Sequence, residues 1–217
     1  MMYWKTVNPL LKESLLMLMQ AEEFKVFRLV GGTALSLQIG HRLSVDIDLF
    51  TDEDYNSVDF DVLEGYLREN FPYVDKVFGG ITAMGRSFLI GIDRENTVKL
   101  DVYYSNDKFI QDAIVIRGVR MATVEEIIAT KVDVVSRGGR KKDFWDLHEL
   151  LPKYDIGKML SLHKIRSEYT HDKAQIMKNF TDFSSADDDF DPECLKGKYW
   201  EFVKEDIEAA VKKVKKA

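Results

Sequence analysis

The stretch that decides the fold is Val30-Gly31-Gly32-Thr33-Ala34-Leu35-Ser36-Leu37-Gln38-Ile39-Gly40-His41-Arg42-Leu43-Ser44-Val45-Asp46-Ile47-Asp48-Leu49-Phe50. Residues 45–50 alternate, so as a strand they turn Val45, Ile47 and Leu49 to one face and Asp46 and Asp48 to the other. The apolar face packs, and the acidic face is left to bind a cation. Two carboxylates fixed side by side repel unless a divalent ion lies between them, and Mg²⁺ favours a few carboxylates together with substrate phosphates. Upstream, Gly31-Gly32 stands between an apolar strand (Val26–Val30) and a short helix (Thr33–Ile39). Glycines there let backbone amides at a helix start approach a phosphate. Thr33 adds a hydroxyl that contacts phosphate or begins the helix, and Gly40 is a natural left-handed helix stop. The conjunction reads as a metal and nucleotide site, which neither half specifies alone.

Working outward, leucines and methionines at helical spacing predict an opening helix over Leu10–Phe24. Asp59–Phe71 reads as a helix. Asp75–Phe78, Arg86–Ile92, Thr97–Tyr104 and Ala113–Ile116 read as strands separated by turn signals such as Gly79-Gly80 and Asp93-Arg94-Glu95-Asn96. From Thr123 the pattern becomes helical, opening on the capping box Thr123-Val124-Glu125-Glu126. Further helices are expected over Arg140–Leu151, 155–168, 171–180 and 198–215, with Asp182–Glu193 an acidic, mobile loop. The expected division is 1–120 for the mixed α/β part and 121–217 for the helical part.

The 217 residues suffice for a substantial core, and 45% hydrophobic with 31% charged residues fits a soluble globular protein. With no bilayer-length apolar run and no signal-peptide layout at the start, a cytoplasmic location is expected. The single cysteine, Cys194, excludes an intrachain disulfide framework and a multi-cysteine zinc site. A net charge of −6 gives no global attraction to nucleic acid, so a polyanion must meet a local basic patch. Two exist: Arg137 with Arg140, Lys141 and Lys142, and Lys212-Lys213-Val214-Lys215-Lys216.

A third carboxylate is expected on a neighbouring strand. Asp101 is placed for it in Thr97-Val98-Lys99-Leu100-Asp101-Val102-Tyr103-Tyr104, where Lys99, Asp101 and Tyr103 share a face. Three carboxylates can hold two Mg²⁺ ions, with Asp101 as ligand or general base; the plainer reading is an aspartate paired with Lys99.

These residues carry a family resemblance. Gly31-Gly32-Thr33-Ala34-Leu35, Gly40-His41-Arg42 and Ser44-Val45-Asp46-Ile47-Asp48-Leu49-Phe50 resemble the first motif of the AbiEii/AbiGii-type nucleotidyltransferases, within the polymerase-β-like superfamily. Glu126-Ile127-Ile128-Ala129-Thr130-Lys131, Arg137-Gly138 and Lys142-Asp143-Phe144-Trp145-Asp146-Leu147 resemble its later lysine and arginine-aspartate motif. The resemblance spans about 30–150. It implies an α+β fold: a small mixed sheet flanked by helices, followed by a helical region that contributes to the active site. It also implies Mg²⁺-dependent transfer of a nucleotide from an NTP, and a toxin's role in a toxin–antitoxin or phage-defence pair, with the tRNA 3′ end as acceptor in some members. By analogy Asp46, Asp48 and Asp101 hold metal, while Gly31, Gly32, Thr33, Ser44, Lys131 and Lys142 meet the nucleotide. Lys131 and Asp143 join the three carboxylates as catalytic residues. Lys142 stands where the family usually has arginine, which weakens bidentate recognition there.

The same residues are open to other functions. The acceptor hydroxyl could belong to RNA, a protein or a small alcohol. A phosphatase of the haloacid-dehalogenase type also carries an Asp-x-Asp pair, but without a Gly-Gly-helix unit before it. A non-catalytic nucleotide-binding module acting through a partner would be expected to lose a carboxylate first.

Overall fold

A computed structural model describes residues 2–77 and 83–216, with side chains as far as residue 214 at the C-terminal end. The chain forms two compact units, Met1–Ile39 with Ser44–Ala122, and Gly40–Leu43 with Thr123–Ala217.

The first unit is built on a seven-stranded sheet ordered β3-β4-β5-β2-β1-β7-β6. Its strands are β1 Arg28–Leu29, β2 Asp46–Thr51, β3 Tyr73–Lys76, β4 Gly85–Gly91, β5 Thr97–Tyr104, β6 Ile114–Ile116 and β7 Val119–Met121. Pairs β2–β5 and β1–β7 are parallel and the rest antiparallel, so the sheet is mixed, as expected. Helices α1 Pro9–Gln20 and α3 Phe60–Asn70 pack on the sheet. Ile47, Leu49, Phe88, Ile90, Val98, Leu100 and Val102 alternate into the core beside Leu11, Leu15 and Leu18 of α1. That alternation leaves Asp46, Asp48, Ser87, Lys99 and Asp101 half-buried on the opposite face.

Four local readings change. The opening helix stops at Gln20, because Ala21 is extended and Glu22–Phe24 forms a separate turn of 3₁₀ helix. The guanidinium of Arg120 compensates the break by donating to the carbonyls of Met19, Phe24 and Phe27 at 2.8–3.0 Å. Strand β7 went unread, and it returns from β6 through Arg117-Gly118, both at positive φ, the signature of a two-residue hairpin turn. Helix α2, Gly31–Ile39, starts at the glycine pair itself. The expected strand Asp75–Phe78 occurs as β3, two residues earlier; Phe78 and the Gly79-Gly80 turn lie outside the described residues.

The second unit consists of helices α4 Val124–Ser136, α5 Lys141–Leu150, α6 Ile156–Arg166, α7 Lys173–Asn179, α8 Ser184–Asp187 and α9 Trp200–Lys216. Thr123 caps α4, its Oγ1 accepting from the Glu126 amide at 3.2 Å. The box is only half made, for the Glu126 carboxylate is drawn instead to Arg166 of α6. The acidic segment 182–193 is irregular outside α8, as a loop is expected to be, but it is anchored. Phe183 packs edge-on to Phe144 and Trp200, and Asp187 accepts from Trp200 Nε1 at 2.7 Å and pairs with Lys204 at 2.8 Å. Among the described residues no helix is long and apolar enough to cross a membrane.

Candidate active site

The register of the sheet sets the geometry. Asp48 of β2 lies directly opposite Asp101 of β5, and Asp101 opposite Ser87 of β4, so three side chains form a row across three strands. Two residues along, on the same face, Asp46 lies opposite Lys99. Like charges directly opposite on neighbouring strands destabilise a sheet unless something neutralises them. Here Lys99 Nζ is 2.5 Å from Asp101 Oδ2, while Ser87 Oγ donates to Asp101 Oδ1 at 2.6 Å. The Tyr103 hydroxyl is 2.9 Å from Ser87 Oγ and extends the chain. The pairing of Asp101 with Lys99 is therefore real, and it lies inside the acidic face. Burial pulls the Lys99 ammonium towards neutrality, but its hydrogen bond to Asp101 and the charges of Asp101, Asp46 and Asp48 outweigh this and raise its pKa.

Gly31 brings the start of α2 against this row. Its φ is +67°, and a Cβ built on it would stand 2.7 Å from Asp48 Oδ2. The missing side chain is thus a space that keeps the carboxylate in place, at the positive end of a helix dipole. Gly32 follows as the second residue of α2. Thr33 and Ser44 lie deeper, both buried, with hydroxyls 2.8 Å apart and Thr33 Oγ1 2.5 Å from the Asp46 carbonyl. Each hydroxyl has one proton, so when Thr33 donates to that carbonyl it accepts from Ser44. Their bonds fix the start of β2.

The residue chemistry fits a hard divalent cation, with carboxylate oxygens grouped on one face and an ammonium already among them as a stand-in. Among the described residues no three His, Cys, Asp or Glu side chains are closed around one point as a ready-made cage. Asp46, Asp48 and Asp101 share a face and a charge.

Lys131, Asp143 and Lys142 all fall in the second unit. Lys131, only 7% exposed, pairs through Nζ with Asp143 at 2.5 Å and Asp146 at 2.9 Å. Its alternative as a solvent-facing charge is thereby removed. Asp146, with no exposed surface, also takes Arg42 bidentately at 2.6 and 2.9 Å and His41 Nε2 at 2.8 Å. Asp143 turns its other oxygen to the Arg140 amide at 3.0 Å, capping α5. Lys142 is half-buried in the first turn of that helix. Two cations thus meet two carboxylates, so the charges of Lys131 and Arg42 balance those of Asp143 and Asp146. Burial alone would raise the Asp146 pKa, yet the charges of Lys131 and Arg42 and the bonds from Arg42 and His41 hold it well below the carboxylate range. Burial would lower that of Lys131, which Asp146 and Asp143 raise instead.

Sequence reasoning missed Arg42 as the partner of Asp146 and left His41 open as a ligand or phosphate contact. The segment is held by an antiparallel bridge between Arg42 and Cys194, with Leu43 N–H donating to Glu193 O and Leu195 N–H to His41 O, each at 2.9 Å. A polar His-Arg pair directly after a helix stop was the available signal. Ser87 was missed too, because only the register brings it to Asp101.

The fold has nucleotidyltransferase counterparts. A candidate nucleotidyltransferase from H. pylori superposes with a TM-score of 0.57 at 20% identity over 96% of each chain. MenT4, a nucleotidyltransferase toxin from Mycobacterium tuberculosis H37Rv, superposes with a TM-score of 0.53 at 13% identity, over 90% of this chain and 83% of its own. An uncharacterized protein of Aquifex aeolicus (strain VF5) is 28% identical over 200 residues, 86% of each sequence. The family model described as nucleotidyl transferase AbiEii toxin, Type IV TA system, matches residues 14–215, and the chain belongs to that family.

Proposed function

We propose that this chain is a Mg²⁺-dependent enzyme that transfers a nucleotide from an NTP to an acceptor hydroxyl, the 3′ end of tRNA being the first acceptor to test. In this reading it acts in the cytoplasm as a toxin held in check by a cognate antitoxin. The observation that carries it is Asp48 opposite Asp101 with Asp46 on the same face, an arrangement costly to the sheet and useful for holding cations. Asp46, Asp48 and Asp101 would hold the metal, which when bound activates the attacking hydroxyl and offsets charge on the triphosphate and leaving pyrophosphate. Gly31 and Gly32 would bring backbone amides to a phosphate. Ser87 would keep one Asp101 oxygen oriented so that the other is presented to the metal. Positioning and charge stabilisation then account for most of the rate.

The test incubates purified protein with each α-labelled NTP, Mg²⁺ and total cellular RNA, and compares wild type with Asp48→Asn on a denaturing gel. Label on RNA with wild type alone is the expected result. The variant should fold normally, since removing a repelling carboxylate opens no cavity. Full transfer by both Asp46→Asn and Asp48→Asn would overturn the assignment. Lys131→Met, Asp143→Asn and Lys142→Met belong in the same assay, and phosphate release without any labelled acceptor would favour a hydrolase.

A further inference from the structure

We propose that Lys99 is a tethered counter-ion that holds the Asp46, Asp48 and Asp101 face together in place of a divalent cation, and that the two compete for it. This rests on reading the three aspartates as metal ligands. The first support is the register: Asp48 and Asp101 are directly opposed, so the metal-free sheet needs a positive charge there, and Lys99 supplies it from the same strand face two residues before Asp101. Second, both Asp101 oxygens are taken, Oδ1 by Ser87 and Oδ2 by Lys99. A cation binding Asp101 through Oδ2 has to displace the ammonium, whereas the neutral Ser87 contact can stay and keep the carboxylate oriented. Third, Lys99 lies opposite Asp46 as well as bonding Asp101, so the one charge serves more than one carboxylate of the face. Fourth, its side chain is 40% exposed on a flexible four-carbon stem, so it can leave without opening the core.

The experiment titrates Mn²⁺ calorimetrically into the full-length wild type, Lys99→Met, Lys99→Gln, Lys99→Arg and Asp48→Asn, and records melting with EDTA and with Mn²⁺. Expected are about tenfold tighter Mn²⁺ binding by the Met and Gln variants, lower melting than wild type in EDTA and a larger rise on adding Mn²⁺. The Arg variant, which keeps the charge, should stay near wild type. Unchanged or weaker binding by the Met and Gln variants, while wild type binds and Asp48→Asn does not, would overturn the competition and leave the metal site standing. Absence of binding by wild type and all Lys99 variants would remove both readings. Should the neutral variants unfold in EDTA, rescue by Mn²⁺ is the expected extreme, and failure of Mn²⁺ to rescue them overturns the proposal.

Discussion

Gly31 is the residue at which one absent atom matters most. Its positive φ costs an L-residue about 1–2 kcal/mol, and its Cα faces Asp48 so closely that any side chain must push the carboxylate away. Gly31→Ala is therefore expected to lose about that much stability in urea and, separately, to weaken Mn²⁺ binding by displacing Asp48. Wild-type Mn²⁺ affinity in that variant would show the close approach to be incidental. The need for a glycine at this turn was legible in the sequence, because a strand, two glycines and a helix have few other meanings before an Asp-x-Asp strand. Its contact with Asp48 was not, since that follows from where two non-adjacent elements meet.

At the scale of elements, Asp146 ties α4, α5 and the segment Gly40–Leu43 within one unit through Lys131, its own helix and Arg42. Removing one member of a buried ion cluster strands the others, so Asp146→Asn should cost about 3–5 kcal/mol in denaturant unfolding. The sign of its pH dependence follows from a folded pKa below the unfolded one. The contribution is complete above the unfolded value, about 3.9, and is lost as pH falls through the lower folded value, because the unfolded chain binds the proton first. Comparing acid unfolding of wild type and Asp146→Asn checks this, and the variant should lack that component. Strands β2 and β5 were legible from their alternation, to the residue for β5. The link between Arg42 and Asp146 was not, for a pair 104 residues apart leaves no periodic trace. Short elements such as β7 fell below what three residues can signal.

On the scale of the whole molecule, the helical unit is not a contiguous piece of chain. A fragment 123–217 contains Lys131, Asp143 and Asp146 but neither Arg42 nor His41, so its buried cluster carries an unbalanced negative charge. It is expected to melt without a cooperative transition by circular dichroism, whereas the full chain melts cooperatively; a sharp, two-state melt of the fragment would contradict this. The mixed sheet and the helical half were both foreseeable, but the four residues lent from one half of the sequence to the other were not, because nothing local marks them as belonging elsewhere.

That loan also sets a schedule during synthesis. Arg42 leaves the ribosome long before the aspartate that neutralises it, and domains otherwise complete themselves in the order they emerge. The helices must wait for nothing, since their early partner is already outside, but the segment beside Asp46 stays without its anchor until residue 146 has been made and has emerged. A ribosome stalled before that point carries an unfinished protein, and even with α5 complete the segment still awaits residues 193–195, whose backbone closes the bridge to it.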